Sequence, residues 1–294
     1  MTTKNKPDYD NLERIAAELR ESVMDMLAAA GSGHSAGPLG MAEMLTALYF
    51  NSLKHDPKNP DWDERDVVFL SHGHTAPILY AALAHSGYFP KEELHTLRKY
   101  GTRLQGHPER KALPGIESTS GPLGEGLSQG AGYAYTLKYL DNNPHRFVYV
   151  LQGDGEVNEG NVWEAAMFAA KYKLGQLISI IDRNFIQIDG GTEDVMPLGD
   201  LAGKWRTFGW HVLEVNGHSL PALINAYEEA RSVVDRPSMI IANTIPGKGV
   251  DFMEYDFGWH GKPPSVLQNQ EWLAGRSAAA AGFDYKAAEK ESLS

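Results

Sequence analysis

Four short runs, Phe147–Gln152, Leu177–Asp182, Trp210–Val215 and Ser238–Asn243, read as strands that are apolar throughout rather than alternating. A strand with one wet face alternates; a continuously apolar one needs cover on both faces. Helical patterns over Val162–Tyr172 and Leu220–Val234 lie between them. Strands and helices in strict alternation build a parallel sheet wrapped by helices. The expected fold class is therefore α/β, a doubly wound, mainly parallel sheet with helices on both faces.

The first half of the chain adds to this frame. Leu12, Ile15, Ala16, Leu19, Val23, Met26 and Leu27 recur at helical spacing and predict a helix over Asp8–Ala30, ended by Gly31. The loop Gly31–Pro38 follows, then a largely apolar helix over about Met41–Ser52. Val67–Leu70 is a strand running into Ser71-His72-Gly73-His74, and a helix follows over Pro77–Ser86. Gly101–Ser120 reads as irregular; the loop Gly121–Gly126 leads into a helix to about Leu140. No repeat or low-complexity tract marks a second module, so residues 1–265 are expected to form one domain. Residues 266–294 are expected to be a tail packed on the surface or on a partner. A chain opening on Met1 and closing on such a tail is expected to be a natural polypeptide.

Composition narrows the function classes. Lysine and arginine number 27 against 38 aspartates and glutamates, a net charge of −11. That balance argues against nucleic acid and against a polybasic membrane anchor. There is no cysteine, which excludes disulfides, thiolate metal sites and cysteine nucleophiles. The polar first eleven residues do not read as a secretory signal, and no run has the length of a membrane span. A cytoplasmic protein is expected.

Ligands of open parallel sheets bind beyond the carboxyl ends of the strands. Two strand ends there carry oxygen donors: Gly153-Asp154-Gly155 and Asp182-Arg183-Asn184. The stretch from Asp154 to Asn184 is one βαβ unit, and neighbouring strands lie about 4.8 Å apart. Asp154 and Asn184 can therefore meet at one point, with a backbone carbonyl completing an oxygen set for Mg²⁺ or Ca²⁺. The flanking glycines would admit a diphosphate. The next helix, with Asn161 and Glu164 at capping-box spacing, would aim its amino terminus at that anion. Each motif alone reads more readily as a turn or strand terminator; the βαβ spacing is what joins them into a site.

Glycine precedes four of the eleven histidines: His34, His74, His107 and His218. Glycine suits a backbone that passes close to a ligand, so His34, His74, His107 and His260 (followed by Gly261) are candidates for proton transfer or hydroxyl recognition. His218 reads instead as a turn and helix cap. Two loops are decoys. Gly124-x-Gly126 lacks the preceding strand and third-glycine spacing of a dinucleotide site, and Gly247-Lys248-Gly249 lacks the rest of a Walker loop. A rival stays open: His72 and His74, two apart in extended chain, would face the same way and could hold zinc in a metallohydrolase.

Taken in order, Gly33–Gly37, Leu70–His74, Gly106–Glu109, Thr119–Gly124, Gly153–Gly155 with Asn158–Gly160, Asp182–Asn184 with Ile188–Gly190, and Pro246–Gly249 with Trp259–Gly261 resemble the amino-terminal half of transketolase. The resemblance spans about residues 30–265. It implies the thiamine-diphosphate-binding fold of the diphosphate-binding type, with thiamine diphosphate held through Mg²⁺ or Ca²⁺ and a two-carbon ketol unit moved between sugar phosphates. It implies Asp154, Asn184 and the Ile186 carbonyl as metal ligands. His74, Gly121, Leu123, Gly153, Gly155, Glu159, Ile188 and His260 correspond to positions around the cofactor. His34, His74, His107 and His260 correspond to histidines at the reacting sugar. His72, Glu125 and Arg183 depart from the common asparagine, glutamine and asparagine. The pyrimidine-binding domain and its activating glutamate are missing. The resemblance therefore implies a first subunit that works with a carboxyl-terminal transketolase subunit, in an α2β2 assembly. A sulfonated or branched sugar is the variant substrate left open.

Overall fold

The structure, a computed structural model, describes residues 6–282. Its helices are α1 (Tyr9–Ala30), α2 (Ala36–Gly40), α3 (Ala42–Ala47), α4 (Ala76–Ser86), α5 (Glu125–Tyr139), α6 (Gly160–Lys171), α7 (Thr192–Val195), α8 (Leu201–Thr207), α9 (Leu220–Ser232) and α10 (Val266–Gly282). Its strands are β1 (Val67–Leu70), β2 (Val148–Gly153), β3 (Leu177–Arg183), β4 (Ile186–Gln187), β5 (Gly190–Gly191), β6 (His211–Asn216) and β7 (Ser238–Asn243). Five strands form one sheet in the order β1-β2-β3-β7-β6, with every neighbour parallel. The strands β4 and β5 form a small antiparallel hairpin.

Successive residues of the central strands feed two cores. Val68, Leu70, Tyr149, Leu151, Ile178 and Ile180 join the core under α1, α3, α4 and α9. Val67, Phe69, Val148, Val150, Leu177 and Ile181 join the core under α5, α6 and α8. Both faces being dry is why these strands are mostly apolar; the polar Gln152 and Ser179 within them are buried and hydrogen-bonded to each other. The strand β6 departs from that reading. It pairs only with β7, and Glu214 and Asn216 are exposed, as suits a sheet edge.

Local chemistry sets the boundaries. Asp8 caps α1 by accepting the Asn11 N–H, and Gly31 ends it at φ 64°. Ser219 caps α9 by accepting the Ala222 N–H. The single helix expected over Met41–Ser52 is instead α2, α3 and a π turn at Leu48–Ser52, and it begins inside the glycine loop. The break falls at Met41, next to Gly40, where a Cβ would come within 2.9 Å of the Ile245 carbonyl oxygen, so the backbones touch. The capping box at Asn161 is also corrected. The helix α6 starts at Gly160 with Glu159 in the cap position, and Asn161 Oδ1 is buried without a hydrogen-bond partner. In the tail a helix runs as far as Gly282; Asn269 Nδ2 donates to Asp25 and Trp272 Nε1 to the Gly249 carbonyl. The rest of the tail lies outside the described residues.

The chain leaves neighbouring strands in opposite directions. After β1 it turns to α4 on one face, and after β2 to α6 on the other. After β3 it turns towards α8, whereas after β7 it crosses to α2, where the Gly247 N–H donates to the Ala36 carbonyl. Divergence of this kind opens a crevice at the carboxyl ends of the strands.

Candidate active site at the carboxyl ends of the strands

Asp154 follows β2 and is 1% exposed. Its Oδ2 accepts the Phe185 N–H at 2.8 Å and the Thr192 hydroxyl at 3.2 Å, and it lies 2.9 Å from the Arg183 guanidinium. Oδ1 accepts the Gly155 N–H at 2.7 Å. Burial pushes this carboxyl up, against the pull of Arg183. Asn184, buried at the end of β3, donates through Nδ2 to Asp182 and accepts the Ile186 N–H on Oδ1. Those two bonds fix which end of the amide is oxygen. Asp182 is wholly buried and accepts the Thr244 hydroxyl; burial first, then the charge of Asp154, pushes it up to about 7.

A second buried carboxylate ties the glycine loops together. Glu156 accepts the Gly124 N–H at 2.6 Å, the Gly153 N–H at 3.0 Å and the Ser71 hydroxyl, and that hydroxyl accepts the Gly126 N–H. One side chain thus joins the ends of β1 and β2 to the loop that contains Gly121 and Leu123. Glu159 lies beside the same loop, its Cβ 2.9 Å from where a Gly124 Cβ would sit, and is itself exposed. Leu123 and Ile188 are exposed apolar side chains.

Three histidines pack as a triangle. The ring centroids of His34 and His74 are 4.9 Å apart, those of His74 and His260 5.2 Å, and those of His34 and His260 5.7 Å. His107 sits at the surface beside Gly73. Burial first, then His260, Arg98 and His107, pulls His34 down to about 4. Burial and the neighbouring histidines hold His74 well below its ordinary value, and burial lowers His260. His107 is lowered by burial and then by Arg98. The cluster is therefore neutral at pH 7, each ring offering one donor and one acceptor.

The zinc reading of His72 and His74 is corrected. Gly73–Thr75 is a 3₁₀ turn, so the two rings do not project from an extended chain. His72 is buried and donates from Nδ1 to the Leu151 carbonyl. No group of three His, Asp or Glu side chains among the described residues is arranged to hold a metal.

The residues present fit a cation and a polar cofactor. A carboxylate, an amide oxygen and a neighbouring backbone carbonyl are the oxygen donors that Mg²⁺ and Ca²⁺ take. Around them, His34 Nδ1, His260 Nδ1, Gln187 Nε2 and Ser120 Oγ are buried without hydrogen-bond partners. Such atoms call for a bound polar group. A cavity of about 780 Å³ opens beside Asn184 and Ile186, bounded by Thr244, Ile245, Lys248 and Phe257. Phe185 and Tyr255 line it with φ of 66° and 63°, rare for aromatic residues.

Sequence reasoning missed Glu156, Thr192 and Ser120 as site residues. Glu156 was discoverable, as an acid inside a glycine turn; Thr192 reaches Asp154 only through the hairpin of β4 and β5, which Asp189-Gly190 signals as a tight turn. His218 is structural, with Nδ1 3.0 Å from Glu43 and Nε2 accepting the Ile245 N–H.

A parallel sheet with a buried acid–amide pair and a histidine cluster at its carboxyl edge defines a cofactor-binding α/β enzyme domain. Residues 12–287 match the family model described as transketolase, thiamine diphosphate binding domain. The chain belongs to that family, and is a thiamine-diphosphate-dependent, ketol-transferring half-enzyme. It is 44% identical over 264 residues to the 6-deoxy-6-sulfo-D-fructose transketolase subunit SqwG of a Clostridium species, covering 90% of this chain and 94% of that one. It is 39% identical to an apulose-4-phosphate transketolase subunit of Phocaeicola vulgatus, covering 89% and 92%. Human transketolase is 41% identical, but the match covers 90% of this chain and 42% of the human one. Among solved structures, transketolase from Leishmania mexicana superposes with a TM-score of 0.85 at 33% identity, over 90% of this chain and 41% of that one. The chain thus spans nearly all of the subunit relatives and about two fifths of the full-length enzymes. The subunit names of its relatives imply a partner chain.

Proposed function

We propose that this chain anchors thiamine diphosphate through a divalent cation, Mg²⁺ or Ca²⁺, held by Asp154, Asn184 and the Ile186 carbonyl. Gly121, Leu123, Gly153, Gly155, Glu159 and Ile188 would border the cofactor. The observation that carries the reading is the buried Asp154 beside oriented Asn184, both at the ends of adjacent parallel strands. When bound, the cofactor supplies the electron sink for cleaving and remaking the bond to a two-carbon ketol unit. The work of this chain is to hold, orient and shuttle protons. Neutral His34, His74, His107 and His260 can accept a proton from one hydroxyl and donate to a developing oxyanion. The unpartnered Nδ1 atoms of His34 and His260 leave capacity for it.

The partner is proposed to be a carboxyl-terminal transketolase subunit with the pyrimidine-binding domain, in an α2β2 assembly. Exposed Leu123, Ile188, Met196 and Phe257 near the site support an uncovered face awaiting it. The substrates are proposed to be sugar phosphates or sulfonated ketoses; the names of two relatives favour an unusual sugar. The cytoplasmic setting and the single 1–265 unit belong to the same proposal. The test is ketol transfer to ribose 5-phosphate with thiamine diphosphate and Mg²⁺, by this chain alone and mixed with its partner. Transfer only in the mixture is expected; transfer by the chain alone, or none from any phosphorylated or sulfonated ketose, overturns the reading.

A further inference from the structure

Ser35 stands at the cap position of α2, where a serine hydroxyl ordinarily accepts an N–H from the first turn of the helix. Here it makes no such bond. Ser35 is wholly buried, and its hydroxyl donates instead to the Lys262 carbonyl, 227 positions along the chain. Lys262 lies outside regular structure and precedes Pro263-Pro264. A residue before proline is biased away from the helical region, and proline brings no N–H of its own. The Lys262 carbonyl is thus a stiffly held acceptor, free of any helix.

The two ends of this bond carry two of the three packed histidines. His34 directly precedes Ser35, and His260 lies two residues before Lys262. A second tie joins the same segments: the Gly247 N–H donates to the Ala36 carbonyl at 2.8 Å. The loop from Gly247 to Lys262 is therefore fastened to Ser35-Ala36 at both of its ends. His34 Nε2 rests on that loop, 3.7 Å from where a Gly261 Cβ would sit. Neither His34 Nδ1 nor His260 Nδ1 has a hydrogen-bond partner. The 5.7 Å between the two ring centroids is therefore set by the backbones that carry the rings, not by a bond between the rings.

We propose that Ser35 is a positioning residue, which through the Lys262 carbonyl sets the spacing of the His34 and His260 rings for proton transfer. The proposal rests on the ketol-transfer reading for the reaction those rings serve. In the complex with the partner, Ser35→Ala should lower kcat about tenfold, because small misplacements of reacting groups are costly. KM for the ketose should stay within about twofold, and thiamine diphosphate should be retained through gel filtration. Ser35→Thr keeps the hydroxyl and should recover most of kcat. In the full chain alone, the nuclear Overhauser effect between the His34 and His260 ring protons should weaken in Ser35→Ala and return in Ser35→Thr. Unchanged kcat, a loss that threonine does not restore, a loss with the ring-to-ring effect unaltered, or loss of cofactor retention would each overturn the assignment. Should the complex transfer no ketol unit, the ring measurement decides alone. A ring-to-ring effect that alanine weakens and threonine restores supports Ser35 while the ketol reading fails; an effect indifferent to both variants overturns the proposal.

Discussion

Arg183 and Asp154 share one oxygen: the guanidinium is 2.9 Å from Oδ2, the same atom that accepts from Phe185 and Thr192. The other arm of Arg183 lies 2.6 Å from Glu193, and the ring of Phe185 lies 4.1 Å from the guanidinium carbon. A cation at Asp154 would meet a full positive charge on the same carboxylate. At an effective dielectric of about 20 such a charge is worth a few kcal/mol at contact distances, part of it relieved if Arg183 moves towards Glu193.

The first prediction follows from that competition. Arg183→Gln should bind Mg²⁺ about tenfold more tightly in the absence of cofactor, since each factor of ten needs only about 1.4 kcal/mol. Calorimetric titration of the full chain measures it. Weaker binding would show that Arg183 props the carboxylate rather than competing for it.

Glu156 holds three loops with one carboxylate. In Glu156→Gln an amide N–H₂ must face the N–H of Gly124 or Gly153, leaving buried donors opposed. The expected cost is about 2–4 kcal/mol of stability, read by urea unfolding, together with weaker cofactor retention. An unchanged urea midpoint would contradict the role given to Glu156.

Stability should depend on pH through the histidines. His34 and His72 titrate near 4 in the folded chain, chiefly through burial, against 6.5 ordinarily. Folded values depressed in this way mean that the unfolded chain binds more protons between pH 4 and 6.5. The stability from neutral burial is therefore complete above about pH 6.5 and is lost as pH falls to 4. For His72 alone that range is worth about 3 kcal/mol. His72→Asn can keep the bond to the Leu151 carbonyl without the titration, so its urea midpoint should vary less between pH 4.5 and 7. An unaltered slope would move the effect to other groups.

The parts of this molecule that were legible in the sequence are those governed by period and spacing. The run from Phe147 to Asn243 announced a parallel sheet because both faces of its central strands are dry. Asp154 and Asn184 could be paired because one βαβ unit brings its strand ends side by side. The run over Met41–Ser52 misled because helical periodicity does not distinguish one α-helix from a short helix continued as a π turn, and because α2 already begins at Ala36 inside the glycine loop. The strand β6 misled because being at the edge is a property of the sheet, not of the strand.

His260→Ala separates holding the cofactor from handling the sugar. The ring packs with His34 and His74 and carries an unpartnered Nδ1. Turnover of the complex should fall about 100-fold, in the range expected for one general acid–base group, with thiamine diphosphate affinity nearly intact. Loss of that affinity instead would place His260 on the cofactor side alone.

The most direct test of the anchoring role is cofactor retention. The chain and its partner are mixed with thiamine diphosphate and Mg²⁺, passed through gel filtration, and the bound cofactor and metal are counted. One of each per copy of this chain is expected, and none when this chain carries Asp154→Ala. A complex of Asp154→Ala that still retains stoichiometric cofactor and metal would contradict the assignment of the site.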